Sequence, residues 1–333
     1  MKPIIGITMG DAAGIGPEII VKAAASPKVN QLCRPLVIGD AASLQRAVDE
    51  AGLASALAVQ EVVNVEQAVF QAGTLACLHM ALLPQPVPYG LISADAGRAA
   101  YAFLARAVEL AKLRHIDAIC TAPLNKEALH LGGHLFPGHT EILAELTGTV
   151  DYSMMLTTPQ LKVIHLTTHV GLRQAIEQIT PERTYKVIRM ADEMLRRSGI
   201  PQPRIAVCGI NPHAGENGLF GDHEEQHKLL PAIKQAREED INVSGPYPAD
   251  TVFLTAMRGA YDIVVACYHD QGHIPVKMLG IEQGVNVTVG LKGGIIRTSV
   301  DHGTAFDIAG RQVADERSMI AAIQAAVALA PKA

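Results

Sequence analysis

Tryptophan is absent from this sequence, other aromatic residues are few, and there is no long apolar run. Phe, Trp and Tyr together make up 4% of the 333 residues. No run reaches the roughly 18 to 20 apolar residues that a membrane-spanning helix needs. The chain begins Met1-Lys2-Pro3-Ile4 and enters a strand-like run at once, without the apolar stretch of a signal peptide. We therefore expect no membrane association and a cytoplasmic location.

An excess of positive charge and a disulfide pattern are also missing. The formal net charge is -5, which argues against a nucleic-acid partner. The five cysteines are an odd number, have no C-x-x-C spacing and mostly lie in apolar runs. Such cysteines are typical of reduced, buried thiols in a cytoplasmic protein rather than of a disulfide framework.

Two common nucleotide-binding patterns are absent as well. The first apolar run, Pro3–Met9, is followed by GDAAGIGPE (Gly10–Glu18), which matches neither G-x-G-x-x-G nor the Walker A pattern. Pro17 suits the first turn of the helix that is predicted to follow. A strand–loop–helix junction often carries glycine for geometry alone, so this loop by itself is weak evidence for a cofactor.

The sequence does contain an alternation of buried strands and amphipathic helices. Hydrophobic residues make up 49% of the chain, enough for a sizeable core. Short runs rich in β-branched residues predict strands that are buried on both faces. Helices are predicted between them, for example over Ser93–Leu113 with Ser93 as N-cap, and over Glu182–Ser198. This alternation predicts an α/β fold with a mostly parallel, three-layer sheet.

Three of the predicted strands each lead into a histidine. His169, His213 and His269 follow runs that begin at Lys162, Arg204 and Asp262. Ligands of open α/β sheets bind beyond the carboxyl ends of the strands. A single histidine there more often has a structural role, but three in equivalent positions favour a divalent metal. Three imidazoles with an open position are a usual zinc site, although imidazole also accepts other ions, with Co, Mg and Mn as alternatives.

Other polar residues near predicted helix starts are candidates for substrate binding and catalysis. His139 and Thr140 lie where a helix is predicted to begin, which suits an anion, although an N-cap Thr beside a turn His explains the pattern equally well. Asp250 is a candidate acid or base, although capping of a helix predicted at Thr251–Arg258 is the simpler role. Arg297 offers a bidentate clamp for a carboxylate or a phosphate.

Two segments near the ends of the chain resemble those of isopropylmalate and isocitrate dehydrogenases. GDAAGIGPE resembles their GDGIGPE opening, and DHGTAFDIAG (Asp301–Gly310) resembles the HGSAPDIAG loop that holds the adenosine of the cofactor. The resemblance implies an α/β/α sandwich of two domains with the active site in the cleft. It also implies NAD binding without a Rossmann fingerprint, through Gly14, Asp301, His302, Gly303, Thr304 and Asp307.

Motifs along the middle of the chain are more specific. Over nearly its whole length the chain resembles the 4-hydroxythreonine-4-phosphate dehydrogenase family of pyridoxine biosynthesis. The motifs that carry the resemblance are APLNKEAL, FPGHTE, NPHAGENG, YHDQGHIPVK, GVNVTVGL and RTSVDHGTA. It implies a homodimer with the active site at the subunit interface and a divalent metal on His169, His213 and His269. It implies substrate contacts from His139, Thr140, Lys277, Asn286 and Arg297. The catalytic candidates are His139, Lys277 and Asp250, and a metal-bound water is an alternative general base.

Several segments resemble the branch of this family that acts on 4-phospho-D-threonate or 4-phospho-D-erythronate. They are Ser93–Gly97, Glu127–Leu131, Glu216–Gly221 and Gly272–Pro275. The reaction expected from this branch is NAD-dependent and metal-dependent oxidation of the C3 hydroxyl, followed by decarboxylation to dihydroxyacetone phosphate. The alternative is oxidation of 4-hydroxy-L-threonine 4-phosphate to 3-amino-2-oxopropyl phosphate. Two segments depart from the family pattern: Asp11-Ala12-Ala13, and the longer loop from Gly290 to Arg297.

The predicted domains are residues 1–125 with 285–333, on the cofactor side, and residues 126–284, for metal, substrate and dimerisation.

Two rival functions use some of the same residues. A metal-dependent hydrolase or aldolase could use the three histidines but would have no need of the DHGTAFDIAG loop. A regulator that binds phosphate or a sugar acid would have no need of a metal with an open position.

Overall fold

A computed structural model describes residues 2–83, 87–280 and 284–331. The chain forms two compact units, one of Met1–Val150 with Leu291–Ala330 and one built on Asp151–Gly290. The boundaries predicted from the sequence lie at 125/126 and 284/285. The first predicted boundary lies before the structural boundary at Val150, and the segment between them contains two helices. The second predicted boundary lies before the structural boundary at Gly290, and the segment between them contains one strand.

Among its described residues, the first unit contains six parallel strands in the order β3-β4-β2-β1-β5-β12. β1 and β5 each pair with a strand on both sides, and their side chains are almost entirely buried because helices cover this part of the sheet. The strands are β1 Ile4–Thr8, β2 Arg34–Gly39, β3 Ala58–Val62, β4 Thr74–His79, β5 Ala118–Thr121 and β12 Arg297–Ser299.

The helices of the first unit pack in two groups. One group is α4 with α5 and α6, and the other consists of α1, α2, α3 and α12. Ser93 caps α4 through a hydrogen bond from the Ala96 amide, as the sequence predicts. The helices are α1 Gly16–Ala25, α2 Pro27–Leu32, α3 Ala41–Glu50, α4 Ala94–Lys112, α5 Lys126–Leu131, α6 His139–Thr147 and α12 Arg317–Leu329.

Segment 126–150, which the sequence analysis grouped with the middle of the chain, packs in the first unit. α5 lies against α4, and the two backbones approach closely at Gly97. A Cβ atom at Gly97 would collide with the carbonyl group of Ala128. Sequence periodicity does not report this contact, because it depends on a missing side chain rather than on an apolar one.

In the part of the second unit that the structure describes, six strands have the order β11-β6-β7-β10-β8-β9. β7, β10, β8 and β9 run parallel to one another, whereas β6 runs antiparallel to both β7 and β11. The prediction of a mostly parallel α/β sheet is confirmed. The strands are β6 Ser153–Thr157, β7 Lys162–His165, β8 Ile205–Cys208, β9 Val243–Tyr247, β10 Ile263–Ala266 and β11 Val285–Val289.

The helices of the second unit include one irregular turn. Glu225–Leu229 has π-helical geometry and leads directly into α9. Such turns often occur at functional sites. The helices are α7 Leu172–Gln178, α8 Pro181–Arg197, α9 Leu230–Glu238, α10 Ala249–Met257 and α11 His269–Met278.

Two further properties follow from the described residues. No helix among them is long and apolar enough to cross a membrane. The five cysteines are free and buried. The prediction of buried thiols without a disulfide framework is therefore confirmed.

Candidate active site

The strand ends that carry His169, His213 and His269 lie at one edge of the second unit. β7, β10 and β8 are adjacent and parallel, so their carboxyl ends meet at the same edge. His269 is the first residue of α11, directly after β10. His169 and His213 lie in the loops that follow β7 and β8.

Two of these three imidazoles approach each other. The ring centroids of His169 and His269 are 5.6 Å apart. The Nδ1 atom of His269 is 2.7 Å from the Asp270 carboxylate, which fixes the ring and leaves Nε2 as its ligating atom. His213 is exposed and its ring lies 5.9 Å from that of Phe220.

His213 belongs to an unusual backbone segment. Five consecutive residues, from His213 to Asn217, have left-handed φ and ψ angles. Only Gly215 among them adopts this conformation without steric cost, and such strained segments are concentrated at functional sites. The sequence shows the density of special residues in NPHAGENG but not this conformation.

The donor set fits a divalent ion in its chemistry. Neutral imidazole is a common ligand of Zn²⁺ and related ions, and the carboxylate–histidine pair at His269 is the usual support for such a ligand. Within residues 2–83, 87–280 and 284–331, no three histidine, cysteine or acidic side chains of one chain are close enough to hold an ion. The role of all three histidines as ligands therefore stays a prediction.

A cavity of about 420 Å³ opens beside the two histidines that approach each other. Its walls include His169, Tyr268, His269 and Asp270, together with the apolar side chain of Leu172. A volume of this size accommodates a small ligand. The cavity lies wholly within the second unit.

A cationic site in the first unit forms between the last residue of β5 and the first residue of β12. Arg297, the first residue of β12, is only 4% exposed. Its Nε and one terminal nitrogen donate to the Thr121 hydroxyl at 3.1 and 2.7 Å. Burial lowers the pKa of Arg297 to about 10, so the guanidinium stays protonated at neutral pH.

His139 lies close to this guanidinium. It is the first residue of α6, so the helix begins one residue before the position predicted from the sequence. Burial and the nearby Arg297 charge lower the pKa of His139 well below its ordinary value. The imidazole is therefore neutral at physiological pH. Thr140 follows in the first turn of α6, where backbone N–H groups are free to bind an anion.

The remaining substrate and catalytic candidates lie in the second unit. Lys277 is on the exposed side of α11. Asn286 is in β11, where its Nδ2 contacts the Met154 sulfur at 3.2 Å and its buried Oδ1 finds no hydrogen-bond partner among the described residues. Asp250 is exposed in the first turn of α10. The helix begins at Ala249 and its N-cap is Pro248, so the capping role considered for Asp250 is wrong.

The glycine-rich loop and the DHGTAFDIAG loop, distant in sequence, meet in the first unit. The Ile15 amide donates to the Thr304 carbonyl oxygen at 3.0 Å. A Cβ atom on Gly14 would lie 2.8 Å from that oxygen and 2.9 Å from the Thr304 Cβ. Gly14 is therefore required for the close approach of the two loops.

The other predicted cofactor residues surround this contact. Asp301 and His302 are half-buried, whereas Gly303 and Asp307 are exposed. The buried Nε2 of His302 finds no partner in the described part of the chain, so it is available to a ligand group. Tyr89 supports the far end of the loop, where its ring fills the space beside Gly310.

Residues 31–326 match the protein family described as "Pyridoxal phosphate biosynthetic protein PdxA". The chain belongs to this family. It is 57% identical to the D-threonate 4-phosphate dehydrogenase of Cupriavidus necator, over 99% of this chain and 98% of that protein. It is 47% identical to the 4-hydroxythreonine-4-phosphate dehydrogenase of Desulfosudis oleivorans, over 98% and 96%. A crystal structure of a 4-hydroxythreonine-4-phosphate dehydrogenase from Burkholderia phymatum has a TM-score of 0.95 and 55% identity, and all of both chains is covered.

The loop before Arg297, for which the sequence analysis expects extra length, lies at the surface. Lys292–Gly294 forms a short 3₁₀ turn with Lys292 and Gly293 exposed, while Leu291 and Ile295 on either side are buried. Arg297 keeps its place in β12, paired with Ile119 of β5. The buried Arg297 therefore lies in the sheet, directly after this surface turn.

Sequence reasoning missed Asp11 as a special residue of this PdxA-family chain. Its side chain is fully buried, with Oδ1 accepting from the Ala13 amide at 2.8 Å. Oδ2 is buried without a partner among the described residues. Burial raises the pKa of Asp11 to about 6. The Gly-Asp pair in GDAAGIGPE was visible in the sequence, but the environment of the carboxyl was not.

Sequence reasoning also missed a buried pair of imidazoles behind the candidate metal ligands. The Nε2 of His165 is 3.1 Å from the Nδ1 of His273, and the His273 ring stacks on His269 at 3.6 Å. Burial and the neighbouring His273 lower the pKa of His165 to about 3. Gly272 permits the contact, since a Cβ atom there would collide with His165.

Proposed function

We propose that this protein is an NAD-dependent and divalent-metal-dependent dehydrogenase that acts on a 4-phosphorylated four-carbon acid. The proposed substrate is 4-phospho-D-threonate or its epimer 4-phospho-D-erythronate. Oxidation of the C3 hydroxyl gives a β-keto acid, and loss of CO₂ from it gives dihydroxyacetone phosphate. The observation that carries the proposal is the 57% identity, over 99% of the chain, to a protein named D-threonate 4-phosphate dehydrogenase.

The first unit supplies groups that suit an anionic substrate. The Arg297 guanidinium is held in place by Thr121 and is protonated at neutral pH. Its fork geometry matches a carboxylate or a phosphate. We assign it, with Thr140 and the neutral imidazole of His139, to binding one anionic end of the substrate. Lys277 and Asn286 are assigned to the remaining polar groups.

NAD⁺ is assigned to the loops that meet at Gly14 and Thr304, and the divalent ion to His169, His213 and His269. When bound, NAD⁺ accepts a hydride and the ion supplies Lewis acidity at the oxygen undergoing oxidation. The chain itself must remove the hydroxyl proton. Asp250, an exposed carboxylate that does not cap its helix, is the proposed base.

The preference for a hydroxyl over an amine at C2 rests on the charges of the described cavity. An ammonium group there would need a carboxylate partner and would be repelled by a bound cation. Asp270 is the acidic group lining the cavity, and its carboxylate is already hydrogen bonded to His269. The alternative substrate is 4-hydroxy-L-threonine 4-phosphate, because a 47% identical relative bears the name 4-hydroxythreonine-4-phosphate dehydrogenase.

The experiment is to incubate the protein separately with each of the three substrates, NAD⁺ and Zn²⁺, and to identify the three-carbon product. Dihydroxyacetone phosphate from a sugar acid supports the proposal. Efficient formation of 3-amino-2-oxopropyl phosphate, with no turnover of either sugar acid, would overturn it in favour of the alternative. A fluorescence titration with NADH, with and without metal, separates both dehydrogenases from a hydrolase, an aldolase or a binding regulator.

We also propose that the protein is a cytoplasmic homodimer that pairs through the second unit. Ile274 and Met278, one helical turn apart on α11, are 57% and 82% exposed, and Leu254 and Met257 of α10 are also exposed. Exposed apolar side chains at helical spacing are typical of an association surface. Light scattering coupled to size-exclusion chromatography tests this, and a monomer at micromolar concentration would contradict it. The cytoplasmic location is supported by the five free cysteines.

A further inference from the structure

The side chain of Gln271 connects the strand ends from which His213 and His269 extend. It lies in the first turn of α11 and is only 9% exposed. Its Oε1 accepts from the Cys267 amide at 2.6 Å, at the end of β10. Its Nε2 donates to the Gly209 carbonyl oxygen at 2.8 Å, at the end of β8. One amide group therefore bridges two adjacent strands where they leave the sheet.

The bridge requires an amide in this orientation. The Cys267 N–H is only a donor and the Gly209 carbonyl is only an acceptor, so the side-chain oxygen must face the first and the NH₂ group the second. A carboxylate in place of the amide would set one of its oxygens against the Gly209 carbonyl oxygen, and two hydrogen-bond acceptors repel each other. An apolar side chain would leave a buried N–H and a buried C=O without partners, which is unfavourable.

Hydrogen bonds on either side extend this connection. The Thr167 hydroxyl, two residues before His169, donates to the Cys267 carbonyl oxygen at 2.9 Å. The buried Glu225 carboxylate accepts from the amides of Ile210 and Asn211, at 2.9 and 2.7 Å. The loops after β7, β8 and β10 are thus joined through backbone groups close to the three histidines.

Glu225 and Gln271 constrain the His213 loop from two directions. Glu225 lies in the π-helical turn, and its carboxylate accepts hydrogen bonds from both the backbone amide and the side-chain amide of Asn211. Gln271 holds Gly209 on the other side. The left-handed segment begins only two residues after Asn211. A strained segment persists only where its surroundings determine it, and these contacts are such surroundings.

We propose that Gln271 is a positioning residue that holds the strand ends bearing His213 and His269 in register and thereby sets the affinity of this site for a divalent cation. The inference rests on the proposed metal-binding role of these histidines. Gln271 itself is not proposed to touch the metal, the substrate or the cofactor. Groups that orient metal ligands in this indirect way commonly change metal affinity 10- to 100-fold when they are replaced.

The test measures binding of Zn²⁺ alone to metal-free protein, by competition with a chromogenic chelator. The variants are Gln271→Glu, which opposes a carboxylate to the Gly209 carbonyl, and Gln271→Met, which keeps the length without either hydrogen bond. Gln235→Glu is the matched control, because Gln235 is exposed on α9 in the same unit. Visible absorption of the Co²⁺-loaded proteins reports the geometry of the site.

We expect Zn²⁺ to bind about 10- to 100-fold more weakly to both Gln271 variants, with an altered Co²⁺ spectrum, and normally to the control. Circular dichroism of the metal-free proteins verifies folding, and Gln271→Met decides the matter if Gln271→Glu does not fold. The inference would be overturned if Gln271→Met bound Zn²⁺ with an affinity within twofold of wild type and if its Co²⁺ spectrum were unchanged. Absence of saturable Zn²⁺ binding to wild type and control alike would instead show that the metal-binding role itself is wrong.

Discussion

Replacement of Asp11 by Asn is expected to stabilise the protein at neutral pH and to change how its stability depends on pH. Burial raises the pKa of Asp11 from 3.8 to about 6 in the folded protein. The folded state therefore holds the proton more tightly than the unfolded state does. Ionisation of Asp11 opposes folding, so its contribution to the free energy of unfolding falls as the pH rises from about 4 to above 6.

The size of the effect follows from this difference in pKa. A rise from 3.8 to about 6 corresponds to a loss of about 3 kcal/mol once the pH is well above 6. At pH 4.5 the loss is only about 1 kcal/mol, because most folded molecules still carry the proton. The asparagine side chain does not ionise, and its Oδ1 can still accept from the Ala13 amide. The free energy of unfolding of the variant, relative to wild type, should therefore increase by about 2 kcal/mol between pH 4.5 and pH 7.5.

The assay is urea unfolding of wild type and variant at both pH values, followed by circular dichroism. Other titrating groups are common to the two proteins, so their effects cancel in the difference. Asp95→Asn, at an exposed position on α4, controls for the change in net charge. If the difference between Asp11→Asn and wild type is the same at both pH values, Asp11 is not a carboxyl destabilised by burial and the reasoning fails.

Three further outcomes are expected. His213→Ala should lower bound metal, measured by mass spectrometry, together with turnover, while the metal-free protein keeps its melting temperature; full activity after dialysis against a chelator would contradict this. Gly14→Ala should weaken NADH binding at least several-fold in a fluorescence titration, because the new methyl group pushes the Thr304 loop away; an unchanged dissociation constant would show that this contact does not shape the cofactor site. NAD⁺ should give a higher kcat/KM than NADP⁺, because the exposed Asp307 repels a 2′-phosphate; the opposite preference would show that the neighbouring Arg311 determines the local charge.

Most of the secondary structure could be predicted from the sequence, because hydrophobic burial leaves a periodic signal. The buried runs that became β1, β5, β8 and β10 have no polar alternation, and the helix predicted over Ser93–Leu113 agrees with α4 to within one residue at each end. The free state of the cysteines was also predicted correctly. Family membership was recognisable from motifs, and residues 31–326 match the PdxA family.

Features without a periodic signal could not be predicted. The antiparallel course of β6, the π-helical turn at Glu225 and the left-handed segment from His213 to Asn217 depend on contacts between distant residues. The boundary near residue 150 depends on the close approach of α5 to Gly97. Local propensity contains no information about such contacts.

The sequence by itself determined which residue types stand at the strand ends, and therefore which chemistry is available. Only the tertiary structure decided the state of those residues. In the folded chain, Asp11 is buried with no partner for its Oδ2 atom among the described residues, Thr121 lies against Arg297, and the Gln271 amide bridges two strands. The physical reason is that a side chain's charge and hydrogen bonds depend on its surroundings, and here those surroundings come from segments up to 176 residues away in the chain.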